Sequence, residues 1–368
     1  MKRVYNFSPG PSMLPLPVLE KAAAEMCNAN GSGQSVMEMS HRSDDFKPVI
    51  ENTEKKIRSL LSVPDNYRVL FLQGGAWLQF AMVPINLSVA GGKETGNKKK
   101  AAYIDTGVWA SKAAEEAGKY VSVRIAATSK DRNYTYIPKA PSPDPDDAYY
   151  YICLNNTIVG TEWRTVPDTG NVPLVADVSS CIMSEPLDVS RFGLIFAGAQ
   201  KNLGAAGCTL VIIRDDLITD NFPQTPTMLS YKTYAKENSL FNTPPCYCIY
   251  IMGLVLDWIE QNGGLKEMER RNKEKASLLY DCLDNSRLFT APVEKDSRSL
   301  MNVPFVFKES YAKNSADLEK RFLNEAAESG MVNLAGHRLV GGLRASLYNA
   351  MPLEGVKKLA DFIENFKC

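Results

Sequence analysis

The chain has 368 residues, 42 basic against 42 acidic side chains and 45% apolar content, enough for two packed domains of ~150 residues each. A formal net charge of zero gives no general electrostatic reason to expect nucleic acid or an anionic membrane as partner, so a small-molecule partner is expected. The eight cysteines fall in no Cys-x-x-Cys or zinc-like spacing, and the only histidines are His41 and His337; a metal site, a disulfide framework and a Ser-His-Asp triad are all poorly supplied, which leaves the chemistry to a cofactor.

Lys2 and Arg3 are followed by the polar, proline-rich Asn6-Phe7-Ser8-Pro9-Gly10-Pro11 in place of a signal-peptide core, so a cytoplasmic protein is expected. Helical patterns cover Pro15–Cys27 and Phe46–Leu61, and a strand is expected over Arg68–Leu72 before a helix over Trp77–Asn86. Lys98-Lys99-Lys100 reads as a solvated turn ahead of a strand over Ala101–Ile104, then a helix over Ser111–Gly118 and a strand over Tyr120–Ile125. The Pro/Asp stretch Pro138–Asp147 reads as an exposed connection. Further strands are expected over Tyr149–Leu154, Pro173–Ala176, Leu194–Ala197 and Thr209–Ile213, and the alternation with helices marks an α/β fold with a largely parallel sheet.

The apolar run from Cys246 to Ile259 is interrupted by Asp257 and falls short of the ~20 residues of a membrane crossing, so it reads as a buried helix. Past Gly263-Gly264 a long charged helix, Leu265–Leu283, leads to short strands and terminal helices. Pro352 fits the first turn of the last helix, whose Val356, Leu359, Ile363 and Phe366 share one face. A second, smaller domain is expected from about residue 264.

Pro173-Leu-Val-Ala-Asp177 delivers a carboxylate to the carboxyl end of a buried strand, the edge where open α/β sheets bind ligands. Leu194-Ile-Phe-Ala-Gly198-Ala-Gln-Lys201 repeats the plan with a lysine. Singly, an Asp there caps a helix and a Lys in a loop is a solvated charge. Together they match what pyridoxal phosphate requires: a carboxylate on the pyridine nitrogen and a lysine that forms a Schiff base with the aldehyde. Gln73-Gly-Gly75-Ala-Trp77 is a strand end, a glycine pair and a helix start, which offers backbone N–H groups to a phosphate but equally describes a tight turn. Trp109 and Thr157, each after a strand, could stack on the ring and bond a ring substituent; alone, a core tryptophan and a turn threonine fit as well.

Several longer motifs closely resemble the phosphoserine aminotransferases: Ser40-His41-Arg42, Gly198-Ala-Gln-Lys201-Asn, Phe241-Asn242-Thr243-Pro-Pro245, Gly336-His337-Arg338 through Arg344-Ala-Ser, and Tyr348-Asn349-Ala350-Met351-Pro352. The resemblance spans essentially the whole chain. It implies a type I pyridoxal-phosphate fold: a large domain over residues 16–263 with a mostly parallel seven-stranded sheet, and a smaller α+β domain from residues 1–15 with 264–368. It also implies a homodimer with active sites shared between subunits. Lys201 would carry the Schiff base, Asp177 would pair with the ring nitrogen and Trp109 would stack on the ring. Thr157 and Gln200 would bond the phenolic oxygen region or the phosphate surroundings, and Ala76 and Trp77 would lie in the phosphate loop. Asn242 and Thr243 would reach the phosphate from the neighbouring subunit.

For the substrate, Arg344 resembles the α-carboxylate clamp, while His41, Arg42, His337 and Arg338 resemble a distal anion pocket shared between subunits. Both histidines of the chain immediately precede an arginine, and arginine's planar fork suits paired carboxylate or phosphate oxygens. The implied reaction is ping-pong transamination between glutamate and 3-phosphohydroxypyruvate, giving 2-oxoglutarate and phosphoserine in serine biosynthesis, with a related phosphorylated hydroxythreonine of pyridoxine synthesis as a second substrate. Trp77 is bulkier than the family's usual side chain at its position, so any phosphate contact there is through backbone, and Pro9 removes an N–H and a hydroxyl that some members have. A cysteine desulfurase of the same superfamily would carry a histidine where Gln200 stands, and a dinucleotide-binding protein would show a glycine fingerprint that is absent here.

Overall fold

The computed structural model describes residues 3–88, 99–220 and 222–367. In chain order its main elements are β1 (Tyr5–Asn6), α1 (Leu16–Ala24), α2 (Lys47–Leu61), β2 (Tyr67–Leu72), α3 (Gly75–Leu87), β3 (Lys100–Asp105), α4 (Val108–Ala117) and β4 (Ser122–Thr128). There follow β5 (Asp147–Cys153), β6 (Leu174–Asp177), β7 (Leu194–Gly198), β8 (Thr209–Arg214), α5 (Tyr231–Lys236), α6 (Cys246–Gln261) and α7 (Gly264–Asn285). The chain finishes with β9 (Phe289–Thr290), β10 (Asn302–Phe307), α8 (Ser315–Glu328), β11 (Met331–Val332), β12 (Leu343–Ser346) and α9 (Leu353–Asn365).

The principal sheet has seven strands in the order β2-β8-β7-β6-β5-β3-β4. Its pairings are parallel except around β8, which runs antiparallel to both β7 and β2. Both faces are covered, and the side-chain alternation shows it: Leu174 and Ala176 of β6 enter one apolar cluster while Val175 enters the other, and Ile212 and Val211 of β8 divide in the same way. Strands buried on both faces read as continuous apolar runs, which is why they were legible without alternation.

The differences from expectation lie at element ends. Helix α1 stops at Ala24, three residues short of the expected Cys27, and α3 and α4 start earlier than expected, each immediately after a glycine. The expected strand Tyr120–Ile125 is β4, shifted to Ser122–Thr128; as an edge strand paired only with β3 it has no fully buried residue, so burial does not print its bounds on the sequence. The Pro138–Asp147 connection ends one residue sooner than expected, because Asp147 is buried, opens β5 and pairs with Arg124. Lys98 lies outside the described residues; Lys99 and Lys100 are exposed, and Lys100 already belongs to β3. Pro352 is the extended cap of α9 and not a residue of its first turn, while Val356, Leu359, Ile363 and Phe366 are all buried. The seven described cysteines are free; Cys153, Cys181, Cys208 and Cys282 are buried, Cys246 and Cys248 half-buried, and Cys27 exposed.

Two small sheets lie apart from the large one in the chain. β9, β10 and β12 form an antiparallel sheet in the order β12-β10-β9, and β1 pairs in parallel with β11. The register opposes Asn302 to Ser346 and Pro304 to Arg344. Among the described residues no helix is long and apolar enough to cross a membrane.

Candidate active site

Asp177 is the last residue of β6, flanked by Cys153 of β5 and Phe196 of β7. The turn that follows holds it from the backbone: the Ser179 N–H donates to Asp177 Oδ1 at 2.9 Å, and Ser179 Oγ accepts the N–H of Gly198 at 3.1 Å, which ties the ends of β6 and β7 together. A Cβ at position 198 would lie 2.6 Å from Gln200 Oε1, so any larger residue there would turn the Gln200 amide aside. The next residue, Lys201, directs Nζ to Thr157 Oγ1 at 2.6 Å. Its loop is fastened by the N-terminal segment, where Ser12 N–H donates to Gln200 O at 2.9 Å and Ser12 Oγ donates to Lys201 O.

Burial dominates the electrostatics. It pushes the Asp177 carboxyl above its ordinary value, opposed by the Lys201 charge and by the hydrogen bonds from Ser179. It pushes the Lys201 amine below its ordinary value; the Asp177 charge opposes this and Arg344 adds to it. An amine so placed reaches its neutral, nucleophilic form more readily than a solvated lysine.

These two groups line a cavity of about 360 Å³. One wall is the start of α3, with Gly75, Ala76 and Trp77. Gly74 and Gly75 hold φ of 88° and 68°, a left-handed turn that suits glycine, and no side chain caps the helix, so first-turn N–H groups are left for a ligand. Trp109, from the first turn of α4, and Thr157 and Gln200 also face the cavity. Trp77 is 54% exposed and meets Trp109 edge-on, with ring centroids 5.6 Å apart.

Arg344 and His337 complete the lining. Arg344 stands on β12, is 5% exposed, and donates from Nη1 to Thr157 O at 3.2 Å, while its Nε is buried with no protein acceptor. His337 Nδ1 accepts the Leu339 N–H at 3.2 Å; burial, then the charges of Arg344 and Arg338, hold its imidazole below the ordinary value.

Five expected site residues lie elsewhere in the chain. Arg338 is exposed beside His337 and does not line the cavity. Asn242 Nδ2 donates to Gln73 Oε1 at 3.3 Å and Gln73 Nε2 donates to Thr243 O at 3.2 Å, so both residues are held to Gln73, just ahead of the α3 turn, and neither lines the cavity. His41 and Arg42 line a separate cavity of about 350 Å³ with Lys47 and Asn238. His41 is 6% exposed, its Nε2 has no partner, and burial with the Arg42 charge lowers its pKa. Conversely, the cavity recruits Asn155, Ser179 and Ser180, which went unassigned in the sequence; the pair Asn155-Asn156 directly after a buried strand was the available signal.

A buried carboxylate, a buried amine, an indole and an uncapped helix start fit the ring nitrogen, aldehyde, ring face and phosphate of pyridoxal phosphate, and the unsatisfied Nε of Arg344 fits a carboxylate entering beside it. The aminotransferase class-V family profile matches residues 4–359. The phosphoserine aminotransferase of Listeria monocytogenes EGD-e is 53% identical over all of this chain and 97% of its own length, and that of Bacillus cereus ATCC 14579 is 52% identical over 100% and 99%. The solved phosphoserine aminotransferase of Bacillus circulans subsp. alkalophilus is similar with a TM-score of 0.93 and 45% identity, covering 99% of this chain and 98% of that one. The pyridoxal-phosphate-bound enzyme of Trichomonas vaginalis gives a TM-score of 0.92 at 37% identity, covering 99% and 100%. The chain therefore belongs to the class-V aminotransferases and, within them, to the phosphoserine aminotransferases.

Proposed function

We propose that this aminotransferase moves the amino group of glutamate to 3-phosphohydroxypyruvate, giving 2-oxoglutarate and phosphoserine for serine biosynthesis, and that it handles the phosphorylated 4-hydroxythreonine of pyridoxine synthesis in the same site. The observation that carries this reading is the single cavity in which Lys201, Asp177 and Trp109 face the unsatisfied Nε of Arg344.

Pyridoxal phosphate, when bound, supplies an aldehyde that takes up and gives back the amino group and a ring that withdraws electrons from the α-carbon. Asp177 holds a proton on the ring nitrogen through its carboxylate, and Trp109 supports the ring face. The α3 start, with Ala76 and Trp77, offers backbone N–H groups to the phosphate, and Gln200 and Thr157 border the ring. Arg344 takes the α-carboxylate with its free donors and so aims the Cα–H bond at Lys201. Lys201 Nζ, neutral when released, removes the proton from Cα of the amino donor and returns one to Cα of the acceptor in the second half of the cycle.

The distal anion of either substrate meets His337 and Arg338, with His41 and Arg42 arriving from a second copy of the chain. Support for a homodimer with shared sites is that His41, Arg42, Asn242 and Thr243 all lie outside their own chain's cavity. The division into residues 16–263 and residues 1–15 with 264–368 is part of the same reading, supported by the position of the small sheets at residues 5–6 and 289–346. So is a cytoplasmic location.

The direct test measures amino transfer from glutamate to 3-phosphohydroxypyruvate by the parent and by Lys201→Ala. Turnover by the parent and none by the variant is expected; normal turnover by the variant would sink the assignment. In the reverse direction, with 2-oxoglutarate, phosphoserine is expected to outrun unphosphorylated serine, and equal rates would contradict the distal anion pocket.

A further inference from the structure

An unbroken run of buried polar side chains connects Lys201 to the strand that carries Arg344. Lys201 Nζ donates to Thr157 Oγ1 at 2.6 Å, and the Thr157 hydroxyl donates to Ser180 Oγ at 3.1 Å. Asn155 Nδ2 donates to the same Ser180 Oγ at 2.8 Å and to Asn302 Oδ1 at 2.9 Å. From Asn302, Nδ2 donates to Ser346 Oγ at 3.0 Å and to Tyr348 OH at 3.3 Å, and Tyr348 OH donates to Pro9 O at 2.8 Å.

Asn302 is the junction of this run. It is fully buried, both amide hydrogens and the oxygen are engaged, and its partners come from the segment after β5, from β12 and the residues just beyond it. Ser346 lies directly opposite Asn302 in the β10–β12 register, and Arg344, two residues earlier on the same strand, shares its face. A bond that ties Ser346 to Asn302 therefore helps to hold the strand that presents Arg344, alongside the backbone pairing of Arg344 with Pro304. The Tyr348 branch ends on Pro9, which together with Gly10 lines the cavity against Lys201. Buried polar networks are costly when partly made and rigid when complete; the bonds at Asn302 are complete, while Asn155 Oδ1 in the same run is buried without a protein partner.

We propose that Asn302 is a positioning residue for amino transfer: it holds the strand that presents Arg344 at a set distance from Thr157 and Lys201, so that carboxylate binding and proton transfer act on one substrate molecule. This rests on the amino-transfer reading above. Asn302 touches neither cofactor nor substrate in this scheme; it acts through Ser346 on Arg344 and through Asn155 and Ser180 on Thr157.

The test uses the holoenzyme with Asn302→Leu, which is close in size and makes none of the bonds, and Ser346→Ala, which removes only the link toward Arg344. Asn302→Leu is expected to raise the glutamate KM ~10-fold or more while weakening pyridoxal phosphate binding by clearly less, since Asn302 is one bond from Ser346 on the Arg344 strand but three bonds from Thr157. Ser346→Ala is expected to raise KM by ~3-fold or more, and to add little when combined with Asn302→Leu because both act on the same link. An unchanged KM in both variants, or a KM that rises in step with the cofactor's dissociation constant, overturns the proposal. If Asn302→Leu does not fold, Ser346→Ala decides on its own. If the parent takes no amino group from glutamate, the functional reading has failed. Asn302 is then decided by the pH midpoint of the bound cofactor's visible absorption: a shift in Asn302→Leu sustains its link to Lys201, and an unchanged midpoint removes it.

Discussion

Lys201 Nζ sits 2.6 Å from Thr157 Oγ1, so the amine has its hydrogen-bond acceptor on β5's side of the cavity while its charge partner, Asp177, lies on β6. The hydroxyl lines the same cavity as the amine. Thr157→Val keeps the shape and removes the acceptor. The Lys201 bond belongs to the free enzyme, so the loss falls on the bond Thr157 would make to the phenolic oxygen of the ring; hydrogen bonds to charged groups are worth about 1.5–3 kcal/mol, and a loss of cofactor affinity on the order of 10- to 100-fold is expected, measured by titrating apoenzyme with pyridoxal phosphate. An unchanged affinity would mean that Thr157 is only a turn residue.

Asp177 and Lys201 each restrain the other's shift: the Lys201 charge lowers the buried carboxyl and the Asp177 charge raises the buried amine. Asp177→Asn removes that charge, so the Lys201 amine is expected to move further below its ordinary value, and the pH below which cofactor binding weakens should fall. Turnover is expected to drop by about 10²-fold or more, because an amide cannot hold the ring nitrogen in its charged form. Retained turnover in Asp177→Asn would remove the ring-nitrogen role.

His41, Arg42, Asn242 and Thr243, which lie outside their own chain's cavity, give a test in trans. A Lys201→Ala chain lacks the amine and an Arg42→Ala chain lacks the distal cation, so each homodimer should be inactive or strongly impaired. After unfolding and refolding an equal mixture, hybrid dimers contain one site with both residues intact, and activity is expected to recover to about a quarter of the parent's. No recovery, with dimers confirmed by sedimentation, would place Arg42 and Lys201 in the same chain's site or in none.

The buried part of the fold and the chemical pair were open to sequence reading for the same reason. β6 and β7 are covered on both faces, so each prints a continuous apolar run, and the run ends where the chain must deliver Asp177 and then Lys201 to the sheet edge. β4 lacks a neighbour on one side and carries Arg124 and Thr128 among small apolar residues, so its bounds were blurred. The network through Asn155, Ser180 and Asn302 stayed invisible because its members are 25 to 147 residues apart and each is an ordinary polar residue until the fold buries it. Arg344 became recognisable only through a motif; its unsatisfied Nε is a property of packing.

Glu162 supplies a prediction about stability away from the chemistry. It is 2% exposed, accepts the Leu300 N–H at Oε2 (2.8 Å), and has Arg164 Nη1 3.4 Å from the same oxygen. Burial pushes its carboxyl from 4.5 up to about 7, against the opposing pull of Arg164. Because the folded value is the higher one, the native state holds the proton more tightly: the contribution to stability is complete below pH 4.5 and is lost as pH rises through about 7. A shift of that size is worth at most about 3 kcal/mol. Glu162→Gln keeps an acceptor for Leu300 and has nothing to titrate. It is expected to match the parent in urea unfolding at pH 4.5 and to exceed it at pH 8, which flattens the loss of stability between those values. Equal pH profiles for parent and variant would show that folding leaves the proton affinity of Glu162 unchanged, its charge carried by Arg164.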